Sequence, residues 1–113
     1  MHARFLDRLA NFDWSGLRDT LADDFTWDGP FGDHLDDPDA YAALLETRMS
    51  QLRDYRIDTV RTIGSGDGCA VELVQRFDDN GAARTIPQVM VFDLDPAAGR
   101  IAHLGVYWRG APS

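Results

Sequence analysis

Phe5, Leu9 and Phe12 recur at i, i+4 and i+7 with Arg4, Asp7, Arg8 and Asn11 between them, which predicts an amphipathic helix at the start of the chain. Asp13 is placed as the N-cap of a second helix whose apolar positions are Trp14, Leu17 and Leu21, with Asp19, Asp23 and Asp24 turned away. The period then shortens to two at Phe25-Thr26-Trp27-Asp28, a strand that Gly29-Pro30 ends. Asp37-Pro38 opens a third helix, with Asp as cap and Pro at the first helical position, where its missing N–H does no harm. Tyr41, Leu45, Met49 and Leu52 line one side of it, with Leu44 alongside.

After Asp54 the helical period disappears. Four strand-like runs follow, Tyr55 to Ser65, Cys69 to Asp78, Thr85 to Leu94 and Arg100 to Arg109, separated by Gly- and Asp-rich turns, and they read as an antiparallel meander. The run Ile86 to Phe92 is apolar on both parities, so neither face of that strand is expected to meet water. One face covers the helices. The other, with Val89 and Val91, is expected either to join a second copy of the chain in a homodimer or to be covered within a monomer. Helices first and strands after predict an α+β architecture in a single domain over residues 1–113.

Composition narrows the function. The 113 residues include seventeen Asp, two Glu, eleven Arg and no Lys, for a net charge of −8, and no stripe concentrates the arginines. A phosphate backbone would meet an anionic surface, so nucleic acid is not an expected partner. The Arg-only, Asp-heavy usage points to a GC-rich bacterial genome. No apolar run approaches the roughly 18 residues of a membrane span, and the first residues lack the pattern of a secretory signal, so a cytoplasmic location is expected. The lone Cys69 reads as packing. His2, His34 and His103 lack metal-ligand spacing, and Gly64 to Gly68 joins two strands rather than opening a helix, so neither a metal nor a nucleotide cofactor is expected.

Three motifs stand in register along nearly the whole chain: Ala22-Asp23-Asp24, Pro30-Phe31-Gly32, and Gly99-Arg100-Ile101 followed by Tyr107-Trp108. With the order of elements, they resemble the nuclear-transport-factor-2-like superfamily, in its SnoaL-like and ketosteroid-isomerase-like branch. The resemblance implies a cone-shaped, curved antiparallel sheet wrapped around three N-terminal helices, an apolar cavity inside, and dimers through the outer sheet face. It also implies where an isomerase site would lie. The general base would precede Pro30, at Gly29; the oxyanion-hole tyrosine would fall at Phe5; the oxyanion-hole acid would fall at Gln88. Of the three, only a neutral amide donor survives, which argues against ketosteroid isomerisation. The epoxide-hydrolase set of one Arg and two Asp has no counterpart, since Arg76, Glu72 and Asp93 fall on the opposite face from Gln75 and Gln88.

An inward Gln88 carries Ile86, Met90 and Phe92 inward with it, and the terminal motif turns Leu104, Val106 and Trp108 in while His103 and Tyr107 stay out. Gln75 is expected on the inner set of its strand. Phe5, Leu9, Leu45 and Met49 close the cavity from the helices, with Trp27 and Phe31 at its floor. Such a pocket suits a hydrophobic small molecule. One reading is catalysis by shape alone, in which an apolar cavity folds a reactive substrate and needs few ionisable groups. Two further readings follow. In one, an enzyme cyclises, isomerises or dehydrates its substrate by proton transfer: Gln88 polarises a carbonyl, and the proton moves through Asp28, if a bulge turns it inward, or through His34 in the loop at the cavity mouth. In the other, the chain is a non-catalytic binding or accessory domain.

Overall fold

The computed structural model describes residues 1–108. Helix α1 spans His2–Ala10 and α2 spans Trp14–Asp19; strand β1 runs Leu21–Asp28, β2 is His34–Leu35, and α3 covers Pro38–Met49. The meander follows as β3 Leu52–Ile63, β4 Gly68–Asp79, β5 Ala82–Asp95 and β6 Arg100–Trp108. Arg109, expected to close the last strand, lies outside the described residues.

Local chemistry explains each boundary. Asp13 caps α2 by accepting from the Gly16 N–H at 3.0 Å, and Asp37 caps α3 by accepting from the Asp39 N–H at 3.0 Å, with Pro38 in the first turn. Leu21, expected in the second helix, instead opens β1. Thr20 closes α2 by donating its hydroxyl to the Leu17 carbonyl at 2.7 Å, and its own carbonyl accepts from the Ile101 N–H at 2.8 Å. Leu52 likewise leaves the third helix and starts β3 opposite Asp79. Both leucines pack inward from a strand as well as they would from a helix, so apolar spacing alone does not separate the two. Asn80-Gly81, with φ of 53° and 87°, forms the two-residue turn between β4 and β5.

The six strands form one curved sheet in the order β2-β1-β6-β5-β4-β3. Every neighbouring pair is antiparallel except β1 and β6, which run parallel. The helices cover one face of this sheet, and between them lies a core that includes Phe5, Leu17, Phe25, Tyr41, Phe92, Ile101 and Leu104. The β5–β6 register skips Ala102, so Ile101 faces the core together with Leu104 and Val106. Among the described residues no helix is long and apolar enough to cross a membrane.

Candidate functional site

A cavity of about 150 Å³ opens between α3 and the inner face of the sheet. Leu9 of α1, Trp27 of β1, and Leu45 and Met49 of α3 line it together with Gln75, Gln88, Met90 and Val106 of the meander. Three wall residues escaped the sequence reading: Tyr41, Arg48 and Tyr55. A signal for Arg48 was present, because it stands three and seven residues after Leu45 and Tyr41 on the same side of α3. For Tyr55 the sequence predicts only the start of a strand.

Two polar atoms of this wall are buried without a partner among the described residues. Gln88 is 2% exposed and its Nε2 has no hydrogen-bond partner among the described residues, and the same is true of the buried Tyr55 hydroxyl. A buried donor left unpaired costs about 1–3 kcal/mol, so such groups are rare unless something else uses them. Burial pushes the Tyr55 phenol well above its ordinary value, and burial together with the neighbouring Tyr55 does the same for Tyr41. Both therefore remain neutral O–H donors across the neutral range.

A second, wider depression of about 580 Å³ lies outside, between α3 and the loop that carries β2. Leu35, Ala40, Ala43 and Leu44 give it an apolar floor, with Asp33, His34 and Thr47 beside them. Trp27 and Arg48 belong to both spaces and form the partition between them. The Arg48 guanidinium lies 3.8 Å from the Asp33 carboxylate, and both side chains are about half exposed.

Asp28 does not line the cavity. The irregularity in β1 falls between Leu21 and Thr26, after which Thr26, Trp27 and Asp28 pair regularly with His103, Leu104 and Gly105. Trp27 therefore faces in and Asp28 faces out. His34 is corrected from a loop residue to a strand residue, directly opposite Asp28 in the β1–β2 pair. The Asp28 carboxylate accepts from His34 Nδ1 at 2.7 Å and lies 3.3 Å from His103 Nε2, while His103 Nδ1 shares a 2.6 Å hydrogen bond with the Thr26 hydroxyl. Among the described residues no group of three or more His, Cys, Asp or Glu is arranged to hold a metal ion.

Three expected wall residues lie elsewhere. Phe31 is 69% exposed, because the Gly29 N–H closes the loop onto the Asp33 carbonyl at 2.8 Å and leaves Phe31 at the outer tip, edge-on to Trp108 at 4.5 Å. Trp108 is engaged in that contact and packs against the core without reaching the cavity. Phe5 is fully buried against Phe92 at 5.6 Å and fills the core.

Gly29, where the resemblance would place a general base, is closed off by Trp27. A Cβ built there would stand 2.7 Å from two atoms of the indole ring. The glycine and the buried tryptophan are thus one packing solution.

Residues 2–104 match a family model described as a SnoaL-like domain. A comparison with curated protein sequences found no match. Among solved structures, a candidate SnoaL-like polyketide cyclase from Shewanella denitrificans superposes with a TM-score of 0.87 at 12% identity, over 96% of this chain and 87% of that one. An LEH-like epoxide hydrolase of Mycobacterium tuberculosis gives 0.81 at 20% identity, over 95% and 78%. A protein of ketosteroid-isomerase-like fold from Catenulispora acidiphila, in complex with trimethylamine, gives 0.81 at 12% identity, over 93% and 82%. At these identities the structural likeness speaks for the fold.

Two outcomes are expected from this geometry. Gly29→Ala destabilises the protein by about 1–3 kcal/mol in urea unfolding through overpacking, and by less in a Trp27→Phe background; equal costs in both backgrounds would place the strain elsewhere. The raised phenols set an alkaline limit. In the unfolded chain they ionise near 10 while in the fold they resist it, so the unfolded state binds fewer protons above that pH. Their contribution is intact below about pH 10 and is lost as the pH rises further. Thermal melts should show the decline, and Tyr55→Phe should make it shallower; an unchanged slope would contradict the assignment.

Proposed function

The chain belongs to the SnoaL-like domain family, and from that premise we propose that its inner cavity binds a small hydrophobic carbonyl compound and polarises the carbonyl through Gln88 and Tyr55. The observation that carries the reading is the pair of buried, unpartnered donors in one apolar wall. A carbonyl oxygen offers two lone pairs and satisfies both at once. Donors fixed in a buried site lower the energy of negative charge developing on that oxygen, which is how an oxyanion hole works. The volume of about 150 Å³ suits a single ring, since a cavity of that size is known to take benzene in another protein. The solved neighbours named as cyclase and epoxide hydrolase, and the one holding trimethylamine, support a small-molecule role.

A second reading adds catalysis by proton transfer and rests on the 2.7 Å contact between His34 and Asp28. An ionised carboxylate only accepts, so it holds the proton of neutral His34 on Nδ1 and leaves Nε2 with the lone pair of a base. His34 lines the outer groove, which shares Trp27 and Arg48 with the cavity. A substrate reaching past that partition would present an acidified α-hydrogen to the histidine, with Asp28 acting as its positioning residue.

Cyclohexanone tests both readings. Titration followed by ligand NMR should show binding that Gln88→Leu or Tyr55→Phe weakens about tenfold or more, in line with a lost buried hydrogen bond of 1–3 kcal/mol; binding indifferent to both variants would refute the carbonyl site. Deuterium uptake at the α-carbon in heavy water reads the second step. His34→Gln should abolish uptake while leaving binding intact, and persistent uptake would remove His34 from the chemistry.

A further inference from the structure

Resting on the carbonyl-site reading above, we propose that the ligand of this site is a keto acid: its ring fills the inner cavity, its carbonyl meets Gln88 and Tyr55, and its carboxylate is held by Arg48 at the partition. The chemistry of the wall points to this class. Among the described residues its polar side chains are Gln75, Gln88, Tyr41, Tyr55 and Arg48, with no Asp or Glu. Donors outnumber acceptors, and the one full charge is positive. The complementary molecule is apolar in its body, rich in acceptors and anionic.

Arg48 is also free enough to take the role. Its contact with Asp33 spans 3.8 Å between half-exposed side chains, beyond hydrogen-bond distance. Such a pair contributes little to stability. A bound carboxylate can accept two N–H bonds from the planar guanidinium in a fork, which is a stronger and more directional contact than the one it displaces. The surrounding charge makes Arg48 more discriminating. In a chain of net charge −8 an anion is repelled over most of the surface, so attraction at this opening is local.

The position of Arg48 decides the polarity of the bound molecule. Because the residue belongs to both the cavity and the groove, a carboxylate resting on it sits at the boundary. It stays partly solvated while the ring goes in, which avoids burying an unpaired charge. The reverse orientation would put the carboxylate against two neutral donors in the buried interior and leave the cation unused.

The test compares 4-oxocyclohexanecarboxylate with cyclohexanone by calorimetric or NMR titration of the whole chain. The keto acid is expected to bind at least tenfold more tightly. Arg48→Met should erase that preference, read as the ratio of the two affinities on the same variant; Arg48→Lys should keep part of it; Asp33→Asn, by removing the competing carboxylate, should enlarge it. Thermal melts of each variant establish that it is folded. Cyclohexanone binding without any preference for the acid overturns this inference and leaves the carbonyl site standing, as does a preference that survives Arg48→Met. Failure of both probes to bind overturns the carbonyl site and this inference together.

Discussion

Strand β1 lies in parallel register against β6, Trp27 opposite Leu104 and Asp28 opposite Gly105, and this seam divides the molecule into an inside and an outside. Side chains alternate along a strand, so once Thr26, Trp27 and Asp28 are paired their directions are no longer independent. Trp27 goes to the cavity, while Asp28 goes to the outer face with His34 and His103. A slip of one residue would exchange the indole for the carboxylate and place an unpaired charge in an apolar chamber. The long irregularity between Leu21 and Thr26 absorbs the mismatch upstream, so the paired end of β1 stays regular.

The meander was legible in the sequence because its turns are chemically explicit and its strands are long. The inward set Gln75, Gln88, Met90 and Val106 follows from alternation once one residue is anchored. What alternation could not supply was the path of irregular backbone. Phe31 lies between a proline and a glycine whose φ is 84°, and no period exists there from which to infer a direction. His34 was misplaced for a related reason, since two residues of strand are too short to leave a pattern. Leu21 and Leu52 show a different failure: a leucine at an element boundary satisfies helix and strand spacing alike, and only the backbone partners decide. Arg48 and Tyr55 carry polar groups on inward faces, and apolar periodicity does not mark such positions.

The interior reconciles two opposing demands. An apolar chamber is stabilised by excluding water, yet Gln88 and Tyr55 leave polar hydrogens in it. Replacing them by leucine and phenylalanine would remove that cost, so their presence marks a conflict between stability and some other use of the space. Gly29 makes the complementary point. Where the resemblance implies an acid–base side chain, the volume is filled by indole, and any acid–base chemistry is displaced to the other end of Trp27, toward the groove and the Asp28–His34 pair.

The cavity wall also bears on how readily such a protein changes its preference. Every element except α2 and β2 contributes to it, and outside α3 each gives only one or two side chains. The backbone ladders that hold the sheet do not depend on what those side chains are. The shape of the chamber is therefore modular: a single exchange at Leu9, Met90 or Val106 redraws one facet of it and leaves the hydrogen-bonded strand ladders in place. The chamber can thus be reshaped in small steps while the fold that encloses it persists.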